Sequence, residues 1–241
     1  MNTIRQALTA ISFLLLIGTV SGEPSRIILL RHGEKENAYA LCDVGQQRSI
    51  ALKMQYLGQG SERSLFENRP PAAFIATTLH TLELASPAAD SWGLPVITYS
   101  VVPLRNNDKS ESTDWVTRQT QRAAADVMNS TRWKGQTVVM VWEHKHIANK
   151  KLARSSPDLL VDLRQLLKLD QLPERYRAEV PKTWSGANYN YFWIIDYDDT
   201  GQPKKFASVR QDFSGEFAGI PNNDCGVPEA LHALSKCKHW E

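Results

Sequence analysis

The sequence predicts an α/β protein: a three-layer α/β/α sandwich around a mostly parallel central sheet. Two observations carry that expectation. Short apolar runs of buried-strand type recur at residues 26–30, 73–76, 96–100, 137–142, 191–197 and 205–209. Between the early runs lie stretches with helical apolar spacing, at residues 45–57, 79–92 and 113–128. Strands that alternate with helices pair in parallel, and the helices cover both faces of the sheet.

Taken in order, the chain opens with residues 1–22, which carry one positive charge (Arg5), an apolar core at residues 11–17 and small residues at Val20-Ser21-Gly22. That core is too short for a comfortable transmembrane helix and reads as a secretory signal peptide, cut before Glu23. Residues 23–241 then form one domain. The first strand follows at once. The helix at 45–57 shows apolar residues at Ile50, Leu52, Met54 and Leu57, and the helix at 113–128 opens with Thr113-Asp114 as a cap. Residues 149–182, rich in Leu and charged positions, read as a helical insertion that caps or flanks the site. The last two strands are joined by Asp198-Asp199-Thr200-Gly201-Gln202-Pro203, a turn-rich connection suited to an antiparallel hairpin.

Charge excludes one class of partner. The chain holds 28 Lys+Arg and 26 Asp+Glu; without Arg5 the balance is 27 to 26, with no basic block, which gives nucleic acid no electrostatic footprint. After signal cleavage nothing predicts stable membrane association. The three cysteines are Cys42, Cys225 and Cys237. A Cys225–Cys237 bridge closes a loop of about a dozen residues around residues 228–236, worth roughly 3 kcal/mol in the chain-entropy model. The competing arrangement is a zinc site from Cys225, His232, Cys237 and His239, whose spacing matches no common pattern. In either case Cys42 is left over.

The chemistry concentrates in two segments. Ile27-Ile28-Leu29-Leu30 runs directly into Arg31-His32-Gly33-Glu34. A strand ending this way delivers its side chains to the carboxyl edge of the sheet, where α/β folds bind ligands. There an imidazole can act as a nucleophile, an adjacent guanidinium can grip a phosphoryl group through its planar fork, and the glycine lets the backbone come close. The second segment, Val138-Val139-Met140-Val141-Trp142-Glu143-His144-Lys145-His146, repeats the pattern. Two parallel strands each ending in histidine place both rings around one ligand, His144 by its distance from the strand and His146 on the same side if the strand continues.

The Arg31-His32-Gly33 triplet resembles the signature of the histidine phosphatase superfamily, the phosphoglycerate-mutase-like fold. Further likeness lies in Leu41-Cys42-Asp43-Val44-Gly45, where Cys42 takes a hydroxyl position, in Gly93-Leu94-Pro95-Val96, and in the terminal hairpin. The resemblance implies that His32 takes up the phosphoryl group, that Arg31 and His144 bind its oxygens, and that no metal or other cofactor takes part. Two departures stand out. Where relatives carry a second arginine, this chain reads Thr77-Thr78-Leu79-His80-Thr81-Leu82-Glu83, and His80 is the nearest substitute. As a cation with an ordinary pKa near 6.5, His80 would give a mildly acidic optimum with its own alkaline limb. The general acid is also displaced: Asn106 stands where it is expected, which leaves Glu143, Asp108 and Glu34 as candidates, Glu143 preferred for its place at the strand end. Arg105 adds to the phosphate pocket.

The expected protein is an exported, periplasmic or secreted, metal-independent phosphatase acting on a small phosphomonoester or phosphoanhydride. The alternative is a degenerate relative that binds a phosphorylated or anionic ligand without turnover.

Overall fold

The computed structural model describes residues 22–37, 39–101 and 109–221, with backbone only at 109–112. The elements, in chain order, are β1 (Arg26–Arg31), α1 (Asp43–Leu52), β2 (Pro71–Ala76), α2 (Leu79–Ser91), β3 (Val96–Thr98), α3 (Lys109–Asn129) and β4 (Thr137–Trp142). They continue as α4 (His144–Ile147), α5 (Lys150–Ser155), α6 (Leu163–Leu166), α7 (Glu174–Arg177), β5 (Tyr191–Tyr197) and β6 (Pro203–Arg210). One six-stranded sheet runs β3-β2-β4-β1-β5-β6. β1, β2, β3 and β4 are parallel, whereas β5 and β6 run antiparallel. This is the predicted three-layer sandwich, with the predicted hairpin at its edge.

Every residue of β1 and β4 is buried, which explains their continuous apolar runs: a parallel strand in the sheet centre has no wet face. Successive side chains still alternate between faces. Ile27, Leu29, Ile75, Val138, Met140, Trp142, Trp193 and Ile195 meet Ala123, Ala124 and Val127 of α3 and Leu163 and Leu167 on one side. Ile28, Leu30, Phe74, Val139, Val141 and Phe192 meet Leu52, Leu57, Leu84, Ala85 and Ala88 on the other. Among the described residues no helix is long and apolar enough to cross a membrane.

Several boundaries differ from expectation for local reasons. The helix expected over 45–57 is α1 followed by one wider π-helical turn, Lys53–Leu57. β3 stops at Thr98, but Tyr99 and Val101 still donate to the Ala76 and Thr77 carbonyls, so the chain keeps the direction of the strand. The insertion at 149–182 is less a free cap than a cover. It breaks into short helices whose Leu163, Leu167, Leu169, Leu172 and Val180 are buried against the α3 side of the sheet.

Cys42 corrects the cysteine expectation: it is disulfide-bonded rather than left over. Cys225 and Cys237, the alternative zinc set and residues 1–21 of the leader lie outside the described residues.

Registers decide where the site forms. Leu30 pairs with Val141, Ala76 pairs with Val141 from the other side, and Arg31 pairs with Trp142. β1, β2 and β4 therefore end level, and the segments after them leave the sheet together. Because Leu29 is fully buried in the central strand, Leu29→Ala should cost about 2–5 kcal/mol, read as a drop in the urea midpoint. Tyr39→Ala, at a site 49% exposed, should stay within about 0.5 kcal/mol.

Candidate active site

β1 delivers Arg31 and His32. The His32 N–H donates to the Trp142 carbonyl at 3.0 Å, extending the ladder by one residue before the chain turns. The turn needs Gly45 beneath it, because a Cβ there would collide with the Glu34 carbonyl. Within the His32 ring, Nδ1 lies 2.7 Å from the Gly33 carbonyl. A carbonyl only accepts, so Nδ1 carries the proton and Nε2 the lone pair. Nε2 faces Arg31 Nη2 at 3.0 Å, His144 Nδ1 at 3.2 Å and Glu143 Oε2 at 3.5 Å. Burial, then Lys35 and Arg31, push the His32 pKa well below its usual value. The ring is neutral.

Arg31 is fixed from the opposite side of the sheet edge. Its Nη1 donates to the carbonyls of Ser185, Gly186 and Asn188 at 3.2, 2.7 and 3.2 Å, and its guanidinium lies 3.8 Å over the Tyr189 ring. Burial lowers its pKa from 12.5, but a guanidinium stays charged in proteins. Its Nε is buried and has no hydrogen-bond partner among the described residues.

β4 ends at Trp142, and Glu143 and His144 begin the next turn. Glu143 Oε1 accepts from the Thr78 hydroxyl at 2.8 Å. Lys35 Nζ donates to both Glu143 oxygens, at 3.2 and 3.0 Å. Thr78 also takes part in a capping box at the start of α2, in which Thr81 Oγ1 accepts the Thr77 and Thr78 N–H groups at 2.9 and 2.8 Å. Burial alone would raise the Glu143 pKa; Lys35, with His32, His80 and His144, overcomes it and holds the carboxyl well below the carboxylate range. Burial and then Arg31 push His144 down to about 2.

His80 joins the cluster, its ring centroid 5.8 Å from that of His32. It is 4% exposed, and neither ring nitrogen has a hydrogen-bond partner among the described residues. Burial first, then Lys35, push its pKa to about 4. This corrects the expected cationic stand-in for a second arginine. In the unliganded site His80 is neutral at mildly acidic and neutral pH, so the alkaline limb expected near 6.5 has no source in it. A neutral imidazole still offers one N–H donor.

Other expectations resolve by geometry. Glu34 is spent: it pairs with Arg48 at 2.6 Å, both 1% exposed, and Arg48 also donates to Asn190 and Gln211. Both of its oxygens accept from Arg48 rather than facing His32. His146 has turned away with the start of α4, its Nε2 3.1 Å from the Thr117 hydroxyl. Asp108 and Arg105 lie outside the described residues. Glu143 is in the cluster, but ionised, so it is no ready proton donor in the unliganded site.

Sequence reasoning missed three participants. Lys35 sits three residues after His32, and a cation so close to the motif was a signal in plain view; the structure part-buries it against Glu143. Thr78 and Tyr189 carried none. Ligand atoms of His32, Glu143 and His144 lie within 4.8 Å of one another, a set able to hold a metal ion. The buried cations Arg31 and Lys35 press on the same three side chains and oppose a dication there.

The chain matches no protein-family model. It likewise matches no curated protein. Among solved structures, it is similar to "Mycobacterial hydrolase 2" at 13% identity and a TM-score of 0.41, covering 88% of this chain and 96% of that one. It is also similar to "Mycobacterial hydrolase 1" at 13% identity and a TM-score of 0.40, covering 79% of this chain and all of that one. Likeness this remote assigns no activity.

Neutral buried histidines leave a mark on stability. His80 has a folded pKa of about 4, against about 6.5 in an unfolded chain. Below 6.5 the unfolded state binds the extra proton, so stability is full above that pH and falls as pH drops toward 4. The loss is on the order of 3 kcal/mol for this ring. Urea unfolding from pH 7 to 4.5 should show His80→Phe with a shallower acid decline than wild type; parallel profiles would contradict the buried neutral ring.

Proposed function

We propose that this chain is an exported phosphatase that hydrolyses a small phosphomonoester or phosphoanhydride through a phosphohistidine on His32. The observation that carries the reading is the His32 ring itself. Its Nδ1 proton is occupied by the Gly33 carbonyl, and its Nε2 lone pair faces a buried pocket that contains two cations. An imidazole in that state is a nucleophile at neutral pH.

A phosphoryl group bonded to Nε2 would meet Arg31 Nη2 and the His144 Nδ1 proton, the groups that now lie within 3.2 Å of that nitrogen. The idle nitrogens of His80 and the idle Nε of Arg31 fit the same reading, because buried polar atoms without partners are rare and an oxyanion supplies what they lack. Preorganised donors in a dry site stabilise the charge that spreads over the equatorial oxygens. Arg31 and Lys35 supply the positive charge, and the reading assigns no step to a metal. Export belongs to the same proposal: the leader pattern and the bonded Cys42 both suit an oxidising compartment.

A second reading, binding of a phosphorylated ligand without turnover, is favoured by one observation. Glu143, the nearest carboxyl, is ionised by Lys35 and has no proton ready for a leaving group.

The test is a phosphoenzyme trap. Wild type mixed with an aryl phosphate and denatured in alkali should yield an acid-labile phosphohistidine. His32→Ala should yield none, with turnover reduced roughly a thousandfold or more. Undiminished turnover in His32→Ala would remove the claim. Tight binding of a phosphate ester by a wild type that never turns it over would establish the second reading.

A further inference from the structure

Glu143 occupies the place that an electrophile must approach. Its Oε2 lies 3.5 Å from His32 Nε2, and Lys35 and Thr78 hold it there. A phosphoryl dianion on Nε2 would stand against this carboxylate at about the same separation. Like charges at that separation repel strongly in a poorly solvated site. Glu143 also holds Lys35, a second, part-buried cation of the cluster, which a dianion would draw on because the described residues bring no second arginine to His32. Both conflicts have one solution: Glu143 gives up its charge and Lys35 changes partner.

We propose that Lys35 and Glu143 form a substrate-operated pair, in which the entering phosphoryl dianion takes Lys35 as a ligand and Glu143 takes a proton from solvent. This rests on the phosphoryl-transfer reading and deepens it. The groups that act on Glu143 are Lys35 from the segment after β1, Arg31 of β1 and His32 just after it, Thr78 and His80 at the start of α2, His144 and His146 of α4, and Tyr189 before β5. Once Lys35 has turned to phosphate, the strongest reason for Glu143 to remain ionised is gone.

The steps balance. His32 Nε2 forms the P–N bond as the bond from phosphorus to the leaving oxygen breaks, and Glu143 gives its proton to that oxygen. His32 Nδ1 keeps its proton throughout, donated to the Gly33 carbonyl. Water then attacks phosphorus, its proton returns to the Glu143 carboxylate, the P–N bond breaks and its electron pair returns to Nε2. Hydrogen phosphate leaves. The empty site reforms when Lys35 recaptures Glu143 and the carboxyl releases its proton. Glu143 is thus an acid only while substrate is bound, which reconciles its charge in the empty site with its place beside the leaving group.

Sulfate is the probe, because it is a dianion across pH 5–8 and brings no titration of its own. Calorimetric titration of the full-length protein, in buffers of different ionisation enthalpy, should show about one proton taken up per sulfate bound. Affinity should then fall about tenfold per pH unit wherever that uptake is complete. Glu143→Gln should bind sulfate at least as tightly, with no uptake and no pH slope. Lys35→Met should weaken binding by about tenfold or more, with Lys35→Arg retaining most of it; Glu143→Gln, nearly isosteric, decides the matter if Lys35→Met does not fold. Binding without uptake in wild type, or uptake that persists in Glu143→Gln and so belongs to a histidine, would overturn the pair and leave the phosphohistidine reading standing. Failure of wild type to bind sulfate at all would overturn both.

Discussion

The level endings of β1, β2 and β4 are the constraint on which the rest of this molecule depends. Parallel pairing fixes the axial offset of neighbouring strands, and here the offset brings Arg31, Ala76 and Trp142 to one edge. The next residues of each strand, His32 with Lys35, Thr77 with Thr78 and His80, and Glu143 with His144, have nowhere to go but toward one another. A shift of one residue in β4 would reverse every side chain in it and exchange Trp142 for its neighbours on the opposite face. The two apolar layers forbid that, since Val138, Met140 and Trp142 belong to one core and Val139 and Val141 to the other. Packing of the sheet and assembly of the site are therefore one problem with one solution.

Electrostatics within that edge follow from burial. Arg31, Lys35, Glu143, His32, His80 and His144 share a poorly solvated space, where ionised groups persist only in company. The three imidazoles give up their charge; Lys35 and Glu143 keep theirs by pairing, and Arg31 keeps its own by facing three carbonyls and a tyrosine ring. What results is a cluster in which, among the described residues, Arg31 makes no hydrogen-bonded ion pair and its Nε and both His80 nitrogens have no hydrogen-bond partner. A second buried ion pair, Arg48 with Glu34, serves a different end: it ties α1 to Asn190 and Gln211 beside β5 and β6.

The sequence alone determined the layers of this protein. Continuous apolar runs marked the strands, their alternation with helices marked a covered, largely parallel sheet, and Asp198 to Pro203 marked the turn of a hairpin. It also determined that His32 and His144 stand at strand ends, because the apolar run stops just before each. These properties are local, set by hydrophobic period and turn chemistry, and local properties survive in a linear string.

Tertiary structure alone decided what the side chains at those ends do. Glu34 and Lys35 are neighbours in sequence, yet Glu34 is consumed by Arg48 while Lys35 enters the pocket. Thr78 and Tyr189 become part of the site through partners that are distant in the chain, Glu143 and Arg31. His80 looked like a cation in waiting, but burial beside Lys35 made it neutral, and Glu143 looked like an acid, but Lys35 made it a carboxylate. Charge state depends on desolvation and on the sign of the nearest neighbour, and both are fixed only when strands far apart in sequence end side by side.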